Sequence, residues 1–590
     1  MFAKNNLRML FLLLLLAGIT EAQQKFTIDL HNIDDDLFNV TIHPDNLSEN
    51  NNIFQFAAIA PGTYQIMDIG RFVKYFKAYD KNGEEIETEN VSTNQWEISD
   101  PENVAKIDYQ ISETWDTPVE KNQVYPMCGT SLEKDHAYIN NHAVLGYFHG
   151  RQSDEMWIQV NLPDDWIIGT PLELNSENYY VASSYDFAID SPILAGRLSE
   201  ATTDIEGTTV DVFTYSKTDQ IKSENLLIGI EDILYAASEF TEGLPVQRYV
   251  FLFHFEDTPA GAWEHSYSSN YVLAERELDE ENIKNIRSIV AHEFYHVVTP
   301  LNIHSELVEM FNFEEPTLSQ HLWLYEGVTE WASDAMQFRY GIFTLEDYLR
   351  ETKKKLLTND FYNQDISLTE LGVNAAKLPA QYANIYMKGA IVGTLLDLLL
   401  IDKSNGESGL RELMNNLAKK YGPERPFSED DFFDELAEMT YPEVGVFIDN
   451  YIQGTEPLPV SEYFEYVGIK YTEFLGYDSS KISLGFGLGV EDGKVVVTNV
   501  NEDETQDIKV GDAFKRVVDI DVTLQNAQVA FAKLYTKKAG ETLDFVLDRS
   551  GEEVELSYVF PPQKIKHKFE VIKNPTPEQL KLRKAWMSNL

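Results

Sequence analysis

Cysteine is all but missing: Cys128 is the only one in 590 residues, so no disulfide within the chain can brace it and stability has to come from packing. The lone thiol, in Pro126-Met127-Cys128-Gly129, has no base beside it in sequence, which argues for a buried residue over a nucleophile. Positive charge is scarce as well. Lysine and arginine total 47 against 97 acidic residues, a formal net charge of −50, and no basic stripe offsets the deficit locally. Nucleic acid phosphates and anionic headgroups would be repelled, so no nucleic acid partner is expected. Low-complexity tracts and internal repeats of solenoid length are absent too, which removes the linear repeat architectures.

Against those gaps, hydrophobic residues make up 43% and aromatics 12%, enough for a large buried core, and the length calls for several domains. Lys4 and Arg8 precede an apolar run at 9–16 and small residues at Ala17-Gly18 and Ala22, the pattern of a secretory signal peptide over residues 1–22. The run is short of the ~20 residues that a membrane span requires, as is a later apolar stretch at 390–401, which carries Asp397. The expectation is an exported protein, periplasmic or secreted, with no membrane span in the mature chain.

Residues 23–202 alternate apolar and polar between Asn, Asp, Gly and Pro clusters, as at 26–30 and 157–162, and read as an N-terminal β domain. Asp80-Lys81-Asn82-Gly83 fits a hairpin turn. From 203 to 456 helical periodicity dominates, with a helix near 221–240, one apolar strand at 249–255, and a helix over 282–298 that stops at Thr299-Pro300. Short strands return over 478–561, with turns at Asp492-Gly493 and Ser550-Gly551. The basic tail 562–590, with a helix start at Thr576-Pro577-Glu578, reads as a docked helix. The fold class is multidomain α+β.

His292-Glu293-Phe294-Tyr295-His296 is an H-E-x-x-H motif on the helix at 282–298. Four-residue spacing puts both imidazoles on one face, a turn apart, where they can share one ion. The pentapeptide by itself also arises on helices that bind no metal. Leu322-Trp323-Leu324-Tyr325-Glu326-Gly327 opens a second helical pattern and supplies Glu326, the carboxylate that a zinc site of two histidines and one glutamate requires. Glu293 is offset around the helix from both histidines, faces the open side of a single bound Zn2+, and suits a general base for attack of water on a carbonyl. His304 and His321 lie nearby in sequence but lack ligand spacing.

Together with Ala60-Pro61-Gly62-Thr63-Tyr64 near the N-terminus and Gly261-Ala262-Trp263-Glu264-His265 ahead of the H-E-x-x-H helix, these motifs resemble the glycyl aminopeptidase family of gluzincin metallopeptidases. That family joins a β domain, a thermolysin-like domain and a PDZ domain. The resemblance implies a thermolysin-like, mostly helical catalytic domain at 203–456, one zinc ion, and peptide substrates with a free N-terminus and a small first residue, glycine or alanine. It implies that Gly261 and Glu264 belong to a glycine-x-x-glutamate element that lays an edge strand beside the substrate, with Glu264 holding the free amine. Trp263, where the family commonly has a smaller residue, would narrow that pocket. It further implies that Tyr386, in Tyr386-Met387-Lys388-Gly389, stabilises the tetrahedral oxyanion, although a core aromatic is also compatible with the sequence. Glu330, one turn after Glu326, would orient a zinc histidine.

Leu484-Gly485-Phe486-Gly487-Leu488-Gly489-Val490 and Ile508-Lys509-Val510-Gly511-Asp512 resemble a C-terminal PDZ-like domain at 478–561. Such a domain captures a peptide C-terminus on the backbone amides of its glycine loop; a structural hairpin accounts for the same glycines. Two other functions fit these residues. One is a zinc endopeptidase, with Glu264 touching the substrate elsewhere. The other is a PDZ-dependent peptide-binding or chaperone-like protein with a structural metal, against which Glu293 argues, because a structural site needs no base.

Overall fold

A computed structural model describes residues 23–588 apart from 32, 34, 35, 258–260, 310, 316, 317, 492, 502 and 503. The signal-peptide stretch and Asp492 of the expected turn lie outside the described residues. The chain divides into two units.

The first comprises the chain up to Glu231, Val246–Asn285 and a short segment from Asn312. Strand Gln23–Asp29 buries every second residue and pairs antiparallel with Leu37–His43 and parallel with Glu155–Asn161 in an eight-stranded sheet. Phe26, Ile28, Val40, Ile42 and Tyr109 are buried from alternate positions of its strands, as period-two patterning requires. The hairpin at Asp80 closes as an Asx turn, with Asp80 Oδ1 accepting from the N–H groups of Asn82 and Glu84, both at 2.8 Å, and Gly83 at φ +80°. A four-stranded sheet places His136–Ile139 between Thr130–Leu132 and Ile193–Gly196.

A five-stranded sheet in the same unit runs in the order Ser199–Ile205, Thr208–Ser216, Arg248–Glu256, Ser268–Ala274, Gly261–Glu264. Arg248–Glu256 has parallel neighbours on both sides and is buried along its interior. That explains its continuous apolar run, since parallel strands are covered on both faces. Gly261–Glu264 forms one edge.

The second unit comprises Asp232–Pro245, Ile286–Phe311 and the chain beyond residue 317. It takes up helix Glu280–Tyr295 from Ile286 onward, then Thr329–Tyr340, Leu345–Asn359 and Asn384–Lys403. Asn384–Lys403 is long and apolar enough to cross a membrane by length and composition, but it is buried. Its acid, Asp397, accepts from Arg339 Nη2 at 2.5 Å and from the N–H of Leu410 at 2.8 Å, which makes this a core helix with a satisfied charge.

Farther on, Ile469–Ile482 pairs antiparallel with Pro562–Val571. The chain between them forms a separate antiparallel sheet that includes Phe486–Glu491, Lys494–Val500, Thr542–Arg549 and Glu552–Val559. Its own core contains Phe486, Val497, Phe514, Phe545 and Tyr558. The first ten residues of the basic tail, 562–571, are thus a strand, because they find a partner almost a hundred positions upstream. The helix starts at Pro577, with Thr576 Oγ1 accepting from the N–H of Gln579 at 3.1 Å, and its Trp586 is buried against Phe338, Tyr348 and Phe464.

Candidate active site

All of the H-E-x-x-H chemistry lies in the second unit. His292 lies in the last turn of helix Glu280–Tyr295 and His296 directly follows it. Their rings are 4.9 Å apart, and each Nε2 is 3.6 Å from Glu326 Oε2. The outer ring nitrogens are held: His292 Nδ1 by Glu330 Oε2 at 2.9 Å, His296 Nδ1 by the carbonyl of Thr299 at 3.0 Å. With each Nδ1 carrying the proton, each Nε2 presents a lone pair toward the shared carboxylate. Two imidazoles and one carboxylate, all buried, are the donor set of a divalent transition-metal site and fit zinc.

The carboxylates come from one face of one continuous helical segment. Trp323–Val328 is a π-helical turn, a widening common at functional sites, and leads directly into Thr329–Tyr340. Glu326, Glu330 and Asp334 follow at four-residue intervals. Glu326 reaches both histidines, Glu330 braces His292, and Lys355 Nζ bridges behind them to Glu330 at 2.9 Å and Asp334 at 2.6 Å. Lys355 and Asp334 escaped the sequence reading. Asp334 was discoverable from the four-residue repeat of acids, whereas nothing local marks Lys355.

Tyr386 arrives through a close helix crossing. A methyl group added to Gly327 would lie 2.5 Å from the Cα of Gly389, and one added to Gly389 would lie 2.6 Å from the Cα of Gly327. Only two hydrogens fit there, so Asn384–Lys403 lies backbone to backbone against the turn that carries Glu326. Tyr386 consequently packs 5.6 Å from the His292 ring, hydrogen-bonds to Glu326, and lies hydroxyl to hydroxyl with Tyr382 at 3.0 Å.

Charge is balanced tightly. Burial would lower the pKa of His292, but hydrogen bonds to Glu326 and then Glu330 hold it well above its ordinary value. Burial takes His296 down to about 4. Acid therefore competes with metal for the site. Burial raises Glu293 to about 7, with Glu326 and Glu330 adding to the rise and His292 opposing it.

Gly261 and Glu264 belong to the first unit, on the edge strand Gly261–Glu264. Two motifs almost two hundred residues apart meet there. Gly62 of the Ala60–Tyr64 loop adopts φ +76°, and a Cβ on it would come within 2.6 Å of Glu264 Oε1 and 2.8 Å of Trp263 Nε1. The glycine is thus needed both for its backbone and for the space it leaves to the carboxylate. His265 is buried, with its ring tilted against Trp263 at 4.6 Å. His304 and His321 are tied to the carbonyls of Pro300 and Glu429, both at 2.8 Å, which are structural roles. Cys128 is buried. In the C-terminal sheet the N–H of Gly485 donates to the Tyr558 hydroxyl at 2.8 Å, and that hydroxyl donates to Glu504 at 2.6 Å. This amide of the glycine loop is already engaged within the chain.

Comparison with protein families matches residues 25–197 to the peptidase M61 N-terminal domain and residues 285–392 to the M61 glycyl aminopeptidase domain. Among solved structures the chain is similar to an aminopeptidase N family protein from Idiomarina loihiensis, at 20% identity over 96% of this chain and 100% of that one, with a TM-score of 0.80. At that identity the likeness is one of fold. Native yeast LTA4 hydrolase aligns at 14% identity over 74% of this chain and 68% of that one, with a TM-score of 0.47. No curated protein matches the sequence. The second family match contains His292, Glu293, His296, Glu326, Glu330 and Tyr386, so over these two stretches the chain is similar to the M61 glycyl aminopeptidases, and it is a zinc metallopeptidase.

Proposed function

We propose that the protein is an exported zinc aminopeptidase that removes small N-terminal residues, glycine or alanine, from peptides. The observation that carries this reading is the convergence of His292, His296 and Glu326 on one point, with Glu293 on the same helix and Tyr386 alongside. His292, His296 and Glu326 would hold the zinc ion, whose positive charge would polarise a carbonyl and acidify water. Glu293 takes the proton from the attacking water on its carboxylate and returns it to the nitrogen of the leaving amine. Burial, which raises the pKa of Glu293, favours its holding that proton between the two transfers, and a cation beside it opposes the rise. The Tyr386 hydroxyl donates to the carbonyl oxygen as it gains charge, and Lys355 keeps Glu330 ionised so that it can hold His292 in place.

Glu264 gives the exopeptidase character by accepting hydrogen bonds from the substrate ammonium. The support is the likeness of residues 261–265 to the glycine-x-x-glutamate element together with the position of Glu264 on an edge strand, where an extended peptide can add. The test compares matched peptides with free and acetylated N-termini, cleaved by wild type and by Glu264→Gln. A charge-assisted hydrogen bond is worth about 1.5–3 kcal/mol, so the variant should lose roughly ten- to a hundred-fold in kcat/KM on the free peptide. It should lose little more on the acetylated one, which wild type already cuts poorly. Equal cleavage of both peptides by wild type would make the enzyme an endopeptidase.

A further inference from the structure

A second cluster in the first unit uses none of the residues above. His254 and Glu256 alternate on strand Arg248–Glu256, so both project from one face of the five-stranded sheet. Opposite them, His136 projects from His136–Ile139 in the four-stranded sheet. One ligating atom from each of His136, His254 and Glu256 lies within 4.8 Å of the others. The two imidazole rings are 4.7 Å apart, close to the 4.9 Å between His292 and His296.

The polar bonding of these rings is incomplete in a particular way. His254 is fully buried, with 0% exposure, and neither ring nitrogen has a hydrogen-bond partner among the described residues. His136 is 1% exposed, its Nδ1 is held by Asp135 Oδ1 at 3.1 Å, and its Nε2 has no such partner. Buried imidazoles normally bond at least once. Burial also drives the pKa of His254 well below its ordinary value, so protonation does not supply the missing interaction; a neutral ring is the form that binds metal. Asp135 behind His136 repeats the arrangement of Glu330 behind His292: an anionic carboxylate, held low by that hydrogen bond and by Arg197, fixes the proton on Nδ1 and leaves Nε2 as donor.

Glu256 Oε2 is already engaged by Lys217 Nζ at 2.9 Å and by the N–H of Asp257 at 3.2 Å. Oε1 is the oxygen left to an ion. Tyr215 stacks on His254 at 4.8 Å and Trp115 meets it edge-on at 5.1 Å, which walls the cluster from the side and holds the ring orientation.

We propose that His136, His254 and Glu256 form a second metal site, for a divalent transition ion of the zinc class, that staples the five-stranded sheet to the four-stranded sheet carrying His136. Two neutral imidazoles and one carboxylate suit such an ion better than calcium or magnesium, which prefer all-oxygen shells.

The test loads the full-length chain with Zn2+, removes excess by desalting, and counts metal per chain by mass spectrometry, with circular dichroism as the check on folding. Glu256→Gln, a near-isosteric change at a residue that is not fully buried, should lose one equivalent relative to wild type and should melt at a lower temperature only when zinc is present. His254→Gln should lose the same equivalent. His292→Ala/His296→Ala should lose a different one, so that adding Glu256→Gln to that background lowers the count by one more. The comparison of Glu256→Gln with wild type does not depend on what His292 binds, and the two sites therefore fail or stand separately. A zinc count unchanged by Glu256→Gln in folded protein would overturn the proposal. So would a metal-free His292→Ala/His296→Ala variant.

Discussion

At the scale of single residues the candidate site rests on protons being in the right places. Glu293 is the residue whose removal separates chemistry from assembly. Glu293→Gln leaves both histidines and Glu326 untouched, so metal content should stay at the wild-type level while kcat falls by about 10²–10⁴-fold, the usual contribution of a general base. Turnover and metal content measured on the same preparation decide this; near-normal kcat would remove Glu293 from the mechanism. The pH profile carries the sign. The base must be ionised, so kcat/KM should fall as pH drops through the Glu293 titration, at about 7 for the ligand-free charge balance and lower once a cation sits beside it. Burial explains why a residue that sequence spacing marks only as offset on a helix acquires a pKa useful near neutrality.

Among elements, the crossing of the Glu326 turn with helix Asn384–Lys403 does the positioning. Gly389→Ala would place a methyl group 2.6 Å from the Cα of Gly327, where backbone, not a flexible side chain, has to move. Overpacking of this kind costs about 1–3 kcal/mol. Because Tyr386 and Glu326 lie on the two elements being pushed apart, kcat should fall by more than the stability loss explains. Thermal melting and kinetics on the same variant test this, and a variant with wild-type kcat would mean that the crossing serves packing alone. The glycine ending the Tyr386–Gly389 motif thus has a physical reason, which its spacing from the tyrosine does not reveal.

For the whole molecule, the chain order of the C-terminal region matters. The sheet between Phe486 and Val559 has its own core and is inserted between the paired strands Ile469–Ile482 and Pro562–Val571, whereas the final helix packs on catalytic helices through Trp586. Lys566 and His567 add contacts to Asp360 at 2.6 and 2.9 Å. Replacing residues 483–561 with a short turn should therefore leave the His292, His296 and Glu326 set able to bind metal, with the loss of the Asn499 contact to the carbonyl of Phe361 as a minor cost. Removing everything beyond Tyr477 deletes Trp586 as well and should destabilise the catalytic part by at least the ~3–5 kcal/mol of a buried tryptophan truncation. Differential scanning calorimetry and metal content on the two deletions separate these outcomes; equal stability would mean that the Trp586 helix is not part of the catalytic core.

The sequence by itself determined what depends on neighbours within a few positions. His292 and His296 share a face because a helix repeats every 3.6 residues, the Asp80 hairpin closes on its own side chain, and Pro577 opens the last helix beside its capping threonine. Arg248–Glu256 was legible as a buried strand from its apolar run alone. Tertiary structure decided whatever needs a partner from far along the chain: Lys355 behind Glu330, Gly327 against Gly389, Gly62 leaving room for Glu264, His136 facing His254, and a strand in a stretch whose composition suggested only a helical tail. The physical reason is that periodicity fixes which face a side chain points from, while the group it points at is chosen by how sheets and helices pack, and that choice leaves no mark on local spacing.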